Sequence, residues 1–185
     1  MKICILSDSH DSRSLLATAV TDAKQRGAEV VVHCGDVVAP TTLRCLPPIG
    51  LPVHVIHGNN VGDLVAMHYV MSKYPDIIHY HGMDARLEIA GKRIFLVHYP
   101  HYARAMALTG DYDLVCCGHD HEVMMKQVDN IKGGQTTLLN PGTVGGIGKP
   151  PTYIMGDLSN MDFEAIDVAT DKLVIKNSDH LTHHH

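Results

Sequence analysis

The sequence predicts an α/β fold in which two packed β-sheets are flanked by helices. Three observations lead there. Apolar runs of strand length end three times in a polar cluster before residue 61. Helical material separates those runs, the signature of a parallel α/β core. From about residue 85 the pattern changes to closely spaced strands that begin with a hairpin.

The elements follow in order. Residues 2–7 (KICILS) form an apolar strand that stops at Asp8-Ser9-His10-Asp11. Residues 12–26 have helical periodicity, with Leu15, Leu16, Ala19 and Val20 on one face, Ser12 as N-cap and Gly27 as terminator. A second strand, 28–34, ends at Gly35-Asp36. A short helix is expected from Pro40 to Leu46. A third strand, 53–57, ends at Gly58-Asn59-Asn60. Residues 85–98 alternate, turn at Ala90-Gly91-Lys92 and continue as a strand, which predicts a β-hairpin. A helix around 101–109 and a strand at 113–117 follow, then strands at 122–129, 135–139, 152–157 and 162–168. This later half is expected to be antiparallel. No linker, repeat or low-complexity segment divides the chain, so one domain is expected over 1–176, followed by a tail, 177–185. The tail's final His183, His184 and His185 resemble a purification-tag remnant.

Composition excludes several function classes. No apolar run reaches the roughly 18 residues of a membrane span. The start lacks the h-region and cleavage site of a signal peptide, so a cytosolic protein is expected. A net charge of −5 with no basic stripe disfavours nucleic acid as a passive electrostatic partner. Five cysteines without a CxxC pair predict buried reduced thiols rather than disulfides or a zinc knuckle.

The chemistry lies at the strand ends, where open α/β sheets bind their ligands. They carry Asp8 and His10, Asp36, Asn59, His98, and His119 with His121. If these segments are extended, alternate residues point the same way, and Asp8/His10 and His119/His121 each aim two ligands at one place. Imidazole and carboxylate suit first-row divalent ions. Seven such groups exceed the needs of one ion, whereas two ions share them and leave room for water and substrate, the arrangement that clamps both oxygens of a phosphoryl displacement. Singly, each piece has an ordinary reading: Asp36 as a helix cap, Gly58-Asn59 as a turn, His119-x-His121 as a surface strand. Their consistent order at strand ends is what carries weight. Two other motifs fail. In residues 142–149 (GTVGGIGK), Thr143 stands where a phosphate-binding loop needs glycine, and Pro150 replaces its Ser/Thr. A loop at the site mouth is expected there instead. No nucleophile elbow surrounds Ser7 or Ser9.

The ordered set Asp8-x-His10, Gly35-Asp36, Gly58-Asn59, His98 and Gly118-His119-x-His121 resembles the calcineurin-like metallophosphoesterase superfamily. The small size and Asn140-Pro141-Gly142-Thr143 are similar to the YfcE-type phosphodiesterases, and the resemblance runs from Met1 to about Val168. It implies a four-layer sandwich, two mixed sheets between helices. It implies two divalent ions per chain, manganese foremost, with zinc, iron, nickel or cobalt as alternatives. One ion falls to Asp8, His10, Asp36 and His121. The other falls to Asp36, Asn59, His98 and His119, with Asp36 bridging. It further implies in-line attack on a small phosphodiester by a hydroxide held between the ions.

The chain departs from the family pattern at three points. Val61 stands where an acid is usual, with Asp63 nearby as a substitute; His98-Tyr99-Pro100-His101 replaces His-Gly-His; and Asp120 replaces Thr or Ser. These changes touch the pocket wall and so bear on substrate choice. Asn60 and His101 are the expected leaving-group or phosphate contacts. Two alternatives remain, a non-catalytic Vps29-like scaffold and a phosphomonoesterase. The scaffold would be free to lose ligands, yet every position is filled. The phosphomonoesterases carry His where Asn60 stands. A homo-oligomer is left open.

Overall fold

In the computed structural model, which describes residues 1–180, the chain forms two sheets with helices outside both. The terminal histidines 183–185 lie outside the described residues. The strands are β1 (Lys2–Leu6), β2 (Ala28–His33), β3 (Val53–Val55), β4 (Ile78–Tyr80), β5 (Asp84–Ile89), β6 (Lys92–Val97), β7 (Leu114–Cys116), β8 (Val123–Asp129), β9 (Gln135–Pro141), β10 (Thr152–Asp157), β11 (Asp162–Asp167) and β12 (Leu173–Lys176). The helices are α1 (Arg13–Gln25), α2 (Leu64–Lys73) and α3 (Pro100–Leu108).

One sheet runs β12-β11-β10-β1-β2-β3-β4 and the other β5-β6-β7-β9-β8. β1 to β4 are parallel, while β10, β11 and β12 add antiparallel strands beyond β1. Both sheets are therefore mixed. The later half is not uniformly antiparallel, as its spacing suggested. β6, β7 and β9 run parallel: α3 returns the chain across the sheet from β6 to β7, and β8, antiparallel to β9 at the edge, turns it back before β9.

Alternation along the strands separates three apolar layers. Cys4, Leu6, Val31, Val53 and Val55 face α1 and α2, against Leu16, Val20, Met67 and Val70. Ile3, Ile5, Val30 and Val32 face the second sheet and meet Ile94, Leu96, Leu114 and Leu139. Phe95, Val97, Val115 and Leu138 face α3 through Ala103 and Ala107. Each fully buried aliphatic side chain contributes about 1.5–3 kcal/mol. The five cysteines are free, and all but the half-buried Cys45 lie in these layers.

The local signals worked unevenly. Ser12 sits at the N-cap of α1 but makes no side-chain cap bond. The Pro40 segment is a 3-10 helix, Pro40–Cys45. The hairpin turn uses Ala90 and Gly91, both at positive φ. α2, β4 and β12 are elements the sequence reading did not contain. Asp63 caps α2, its carboxylate accepting from the Val65 and Ala66 amides. That role accounts for the acid near the third motif: it starts a helix. No helix among the described residues is long and apolar enough to cross a membrane. Residues 177–180, the first part of the expected tail, form a 3-10 turn, and Asn177 bonds the Phe163 amide and the Met161 carbonyl.

Candidate metal centre

The carboxyl ends of β1, β2 and β3 from one sheet and of β6 and β7 from the other open on one side of the molecule. Loop-to-loop bonds tie them together: Asp8 N–H donates to Gly35 C=O, His10 N–H to Asp36 C=O, and Gly118 N–H to His98 C=O.

These loops are not extended. Asp8, His10, Asp36, Val38, His119 and His121 all adopt positive φ, between 46° and 77°. Each such residue costs about 1–3 kcal/mol, and this clustering at one place points to a site that needs it. It also corrects the expected cause of convergence. Asp8 and His10 aim together because both are left-handed, not because they alternate along a strand. Close packing adds a constraint. A Cβ on Gly58 would run into the Asp36 carboxylate and the His98 ring, and one on Gly118 into Ser7 and Asp8.

The side chains are aimed by their other contacts. Asp8 Oδ2 accepts from Ser7 Oγ at 2.7 Å and from His119 N–H at 3.0 Å. That leaves Oδ1 facing inward, 3.3 Å from His121 Nε2, 3.9 Å from His98 Nε2 and 4.0 Å from His10 Nε2. Asp36 Oδ1 lies 3.4 Å from His98 Nε2, and Oδ2 lies 3.8 Å from His10 Nε2. Its two oxygens thus face two different imidazoles. Asn59 Oδ1 is 3.0 Å from both His98 Nε2 and His119 Nδ1. His98 Nδ1 donates to the Cys34 carbonyl at 2.7 Å, and His121 Nδ1 to the Ile147 carbonyl at 2.9 Å. Both rings therefore present Nε2 to the centre, the tautomer control typical of metal-ligating histidines.

The electrostatics fit a cation. Burial pushes the Asp8 carboxyl pKa up. Burial works the same way on Asp36, but His98 and the two Asn60 N–H bonds outweigh it and hold that carboxyl well below the usual range. Burial opposes charge on His98, yet Asp36, the Cys34 carbonyl and Asp8 together raise its pKa above 6.5. Asp8 Oδ1 and His10 Nε2 are buried with no hydrogen-bond partner. Buried polar atoms left unpaired in this way are costly unless something satisfies them. Two groups have donor atoms close enough to share an ion: Asp8, His10 and His121, and Asp8, Asp36 and His98. The donor set of carboxylate, imidazole and amide oxygen suits a first-row divalent ion.

All seven expected ligands thus meet. Asn60 joins them as a support: its backbone N–H donates to Asp36 Oδ1 at 3.0 Å and its Nδ2 to Oδ2 at 2.7 Å. His101 stands apart. Pro100 begins α3, which puts His101 in the helix's exposed first turn, its ring 4.2 Å from Tyr102 and 5.9 Å from Tyr99.

Two supporting roles were not read from the sequence, that of His33 and that of Asn140, which entered there only as part of the Asn140–Thr143 motif. His33, fully buried, accepts from Gly35 N–H at Nδ1 and so donates from Nε2 to Ser9 Oγ at 2.9 Å, pinning the loop between Asp8 and His10. Burial holds it neutral, with its pKa lowered to about 3. Asn140 donates to the Gly118 carbonyl and to Asp120 Oδ1, which fixes the His119 loop. Thr143 donates to the Asp8 carbonyl at 2.8 Å. Residues 142–145 are buried framework, and only the following turn, with Ile147, reaches the mouth.

Comparison with known proteins is consistent with this geometry. Residues 1–161 match the calcineurin-like phosphoesterase superfamily domain. Phosphodiesterase MJ0936 of Methanocaldococcus jannaschii is 30% identical over 146 residues, 77% of this chain and 83% of that protein. An archaeal phosphodiesterase structure superposes with a TM-score of 0.80 at 26% identity, over 90% of this chain and 99% of that one. The fold is also that of the phosphoesterase YfcE from E. coli (TM-score 0.67, 21% identity, 95% and 98% covered) and of Vps29 from Entamoeba histolytica (0.67, 17%, 95% and 98%).

Proposed function

Because the chain belongs to the calcineurin-like phosphoesterase superfamily, a family of hydrolases acting on phosphoesters, we propose that it is a metal-dependent phosphodiesterase acting on small phosphodiesters. The observation that carries this is the buried pair of orphaned atoms, Asp8 Oδ1 and His10 Nε2, inside a ring of further ligand atoms. Asp8, His10, Asp36 and His121 would hold one ion; Asp36, Asn59, His98 and His119 would hold the second, with Asp36 shared. When bound, such ions supply a water acidic enough to attack at neutral pH and a clamp for the attacking and leaving oxygens.

The chain's own residues do the rest. Ser7 and the His119 amide fix Asp8, Asn60 fixes Asp36, and the Cys34 and Ile147 carbonyls fix His98 and His121. Beside the centre lies a cavity of about 360 Å³ lined by Gly58, Met83, Phe95, Val97, Tyr99 and Met106. Tyr99 forms the shared wall, its ring edge-on to His98 and His119 at 5.3 and 5.2 Å. This apolar space receives an organic substituent of the phosphate. Asn60 offers a neutral amide where a monoesterase would use an imidazole.

The test is a substrate panel on metal-loaded protein. Bis-p-nitrophenyl phosphate is expected to give a higher kcat/KM than p-nitrophenyl phosphate. The reverse order makes the protein a phosphomonoesterase. Turnover of neither, in a protein carrying its metal, favours the scaffold reading that likeness to Vps29 brings at the level of fold.

A further inference from the structure

A second cluster of imidazoles lies away from this centre, on the outer edge of the seven-stranded sheet. His54 in β3 pairs in register with His79 in β4. His81 follows two residues later, and its N–H donates to the Val55 carbonyl, continuing the pairing. Residues two apart share a face, so all three rings stand on one side of the edge. His54 Nδ1 lies 2.8 Å from His81 Nε2. The His54 ring stacks on both neighbours, with centroids 5.1 Å from His79 and 5.1 Å from His81. His54 and His79 are half-buried and His81 is exposed, so the cluster is open to solvent.

We infer that His54, His79 and His81 form a separate binding site for a borderline divalent ion such as zinc. A His-x-His pair on one strand with a third imidazole on its neighbour supplies the three nitrogen ligands of an open tetrahedral site. Bonds of about 2.0–2.1 Å to such an ion set its ligand nitrogens roughly 3.3 Å apart. The His54–His81 separation needs only a few tenths of an ångström more. His79 must turn from its stacked position to complete the set. The ring that now donates the N–H···N bond moves its proton to its other nitrogen, so no proton is lost. Burial, then the neighbouring imidazoles, lower the His54 pKa to about 4; burial and His79 lower that of His81. Both are neutral near pH 7, as metal ligation requires. All-imidazole ligation favours zinc, copper or nickel over the harder ions that carboxylates hold. An ion here joins β3 to β4, the edge strand.

The experiment uses the full chain carrying His183→Ala, His184→Ala and His185→Ala, so that the terminal histidines add nothing. Bound zinc is counted by atomic emission after gel filtration from excess zinc. The double variant His79→Asn/His81→Asn is expected to hold one zinc per chain fewer than its parent, and His54→Gln alone to hold that ion more weakly. Bis-p-nitrophenyl phosphate turnover with manganese is expected to be unchanged, because none of the three belongs to the Asp/His centre. Equal zinc counts in the parent and in the double variant, with native circular dichroism, overturn the inference; if the double variant fails to fold, His54→Gln that holds this ion as tightly as the parent does the same. Because the readout is a difference of one ion, it stands whether or not the other centre binds two.

Discussion

Replacing Asp36 with asparagine is expected to cost more bound metal and more activity than replacing either His98 or His121. The two oxygens of Asp36 face different imidazoles, His98 at 3.4 Å and His10 at 3.8 Å. A shared carboxylate serves both ions, so its loss weakens both, whereas each histidine serves one. The substitution also removes a charge that His98 and Asn60 keep ionised. Activity should fall by more than the roughly 10–100-fold typical of changes to groups that merely support a ligand. Metal per chain, measured with the terminal histidines replaced, is expected to drop below one in Asp36→Asn and to stay near one in His98→Ala and His121→Ala. Two ions retained by Asp36→Asn would show that another group bridges. Asp8 is the alternative, since it belongs to both donor groups.

The second large effect concerns the leaving group. A diester carries one negative charge, so a nucleophile approaches phosphorus readily and the barrier shifts to the departing oxygen, which needs a proton or a cation. Asn60 directs its backbone N–H and one Nδ2 hydrogen at Asp36, and its neutral amide transfers no proton near neutral pH. His101 lies in the exposed first turn of α3, its ring tilted against that of Tyr102. Neither geometry presents an acid to the leaving group, and a missing general acid is worth roughly 10²–10⁴ in rate. Rates should therefore depend steeply on leaving-group pKa, with aryl diesters far faster than alkyl ones. A series of diesters run on wild type, Asn60→Ala and His101→Ala checks this. A shallow dependence in wild type that steepens only in His101→Ala would make His101 the acid.

Much of the centre was legible because its ligands sit at strand ends, and short apolar runs closed by Asp, Asn or His announce themselves. The parallel strands β1 to β3 were legible for the same reason. α2 was not, because Leu64, Val65 and Tyr69 are exposed while Met67 and Val70 are buried, so its apolar residues do not mark one face. β4 and β12 are short strands at the two ends of the seven-stranded sheet, too brief to show a period. The direction of β6, β7 and β9 depends on how α3 crosses the sheet and on β8 lying at its edge, which no local pattern encodes. The support given by His33 and Asn140 joins residues 24 and 22 positions apart, and spacing alone does not reveal it.

On the proposed reading, metal held by the Asp8–Asp36 centre gives the chain its phosphoesterase activity. The most direct measurement is hydrolysis of bis-p-nitrophenyl phosphate by the tail-substituted protein before chelation, after complete metal removal, and after manganese is returned, with bound metal counted at each stage. The expected result is loss of activity on removal and its return as two ions per chain rebind in wild type but not in Asp36→Asn. Full activity in the metal-free protein would show that hydrolysis does not depend on metal in this centre.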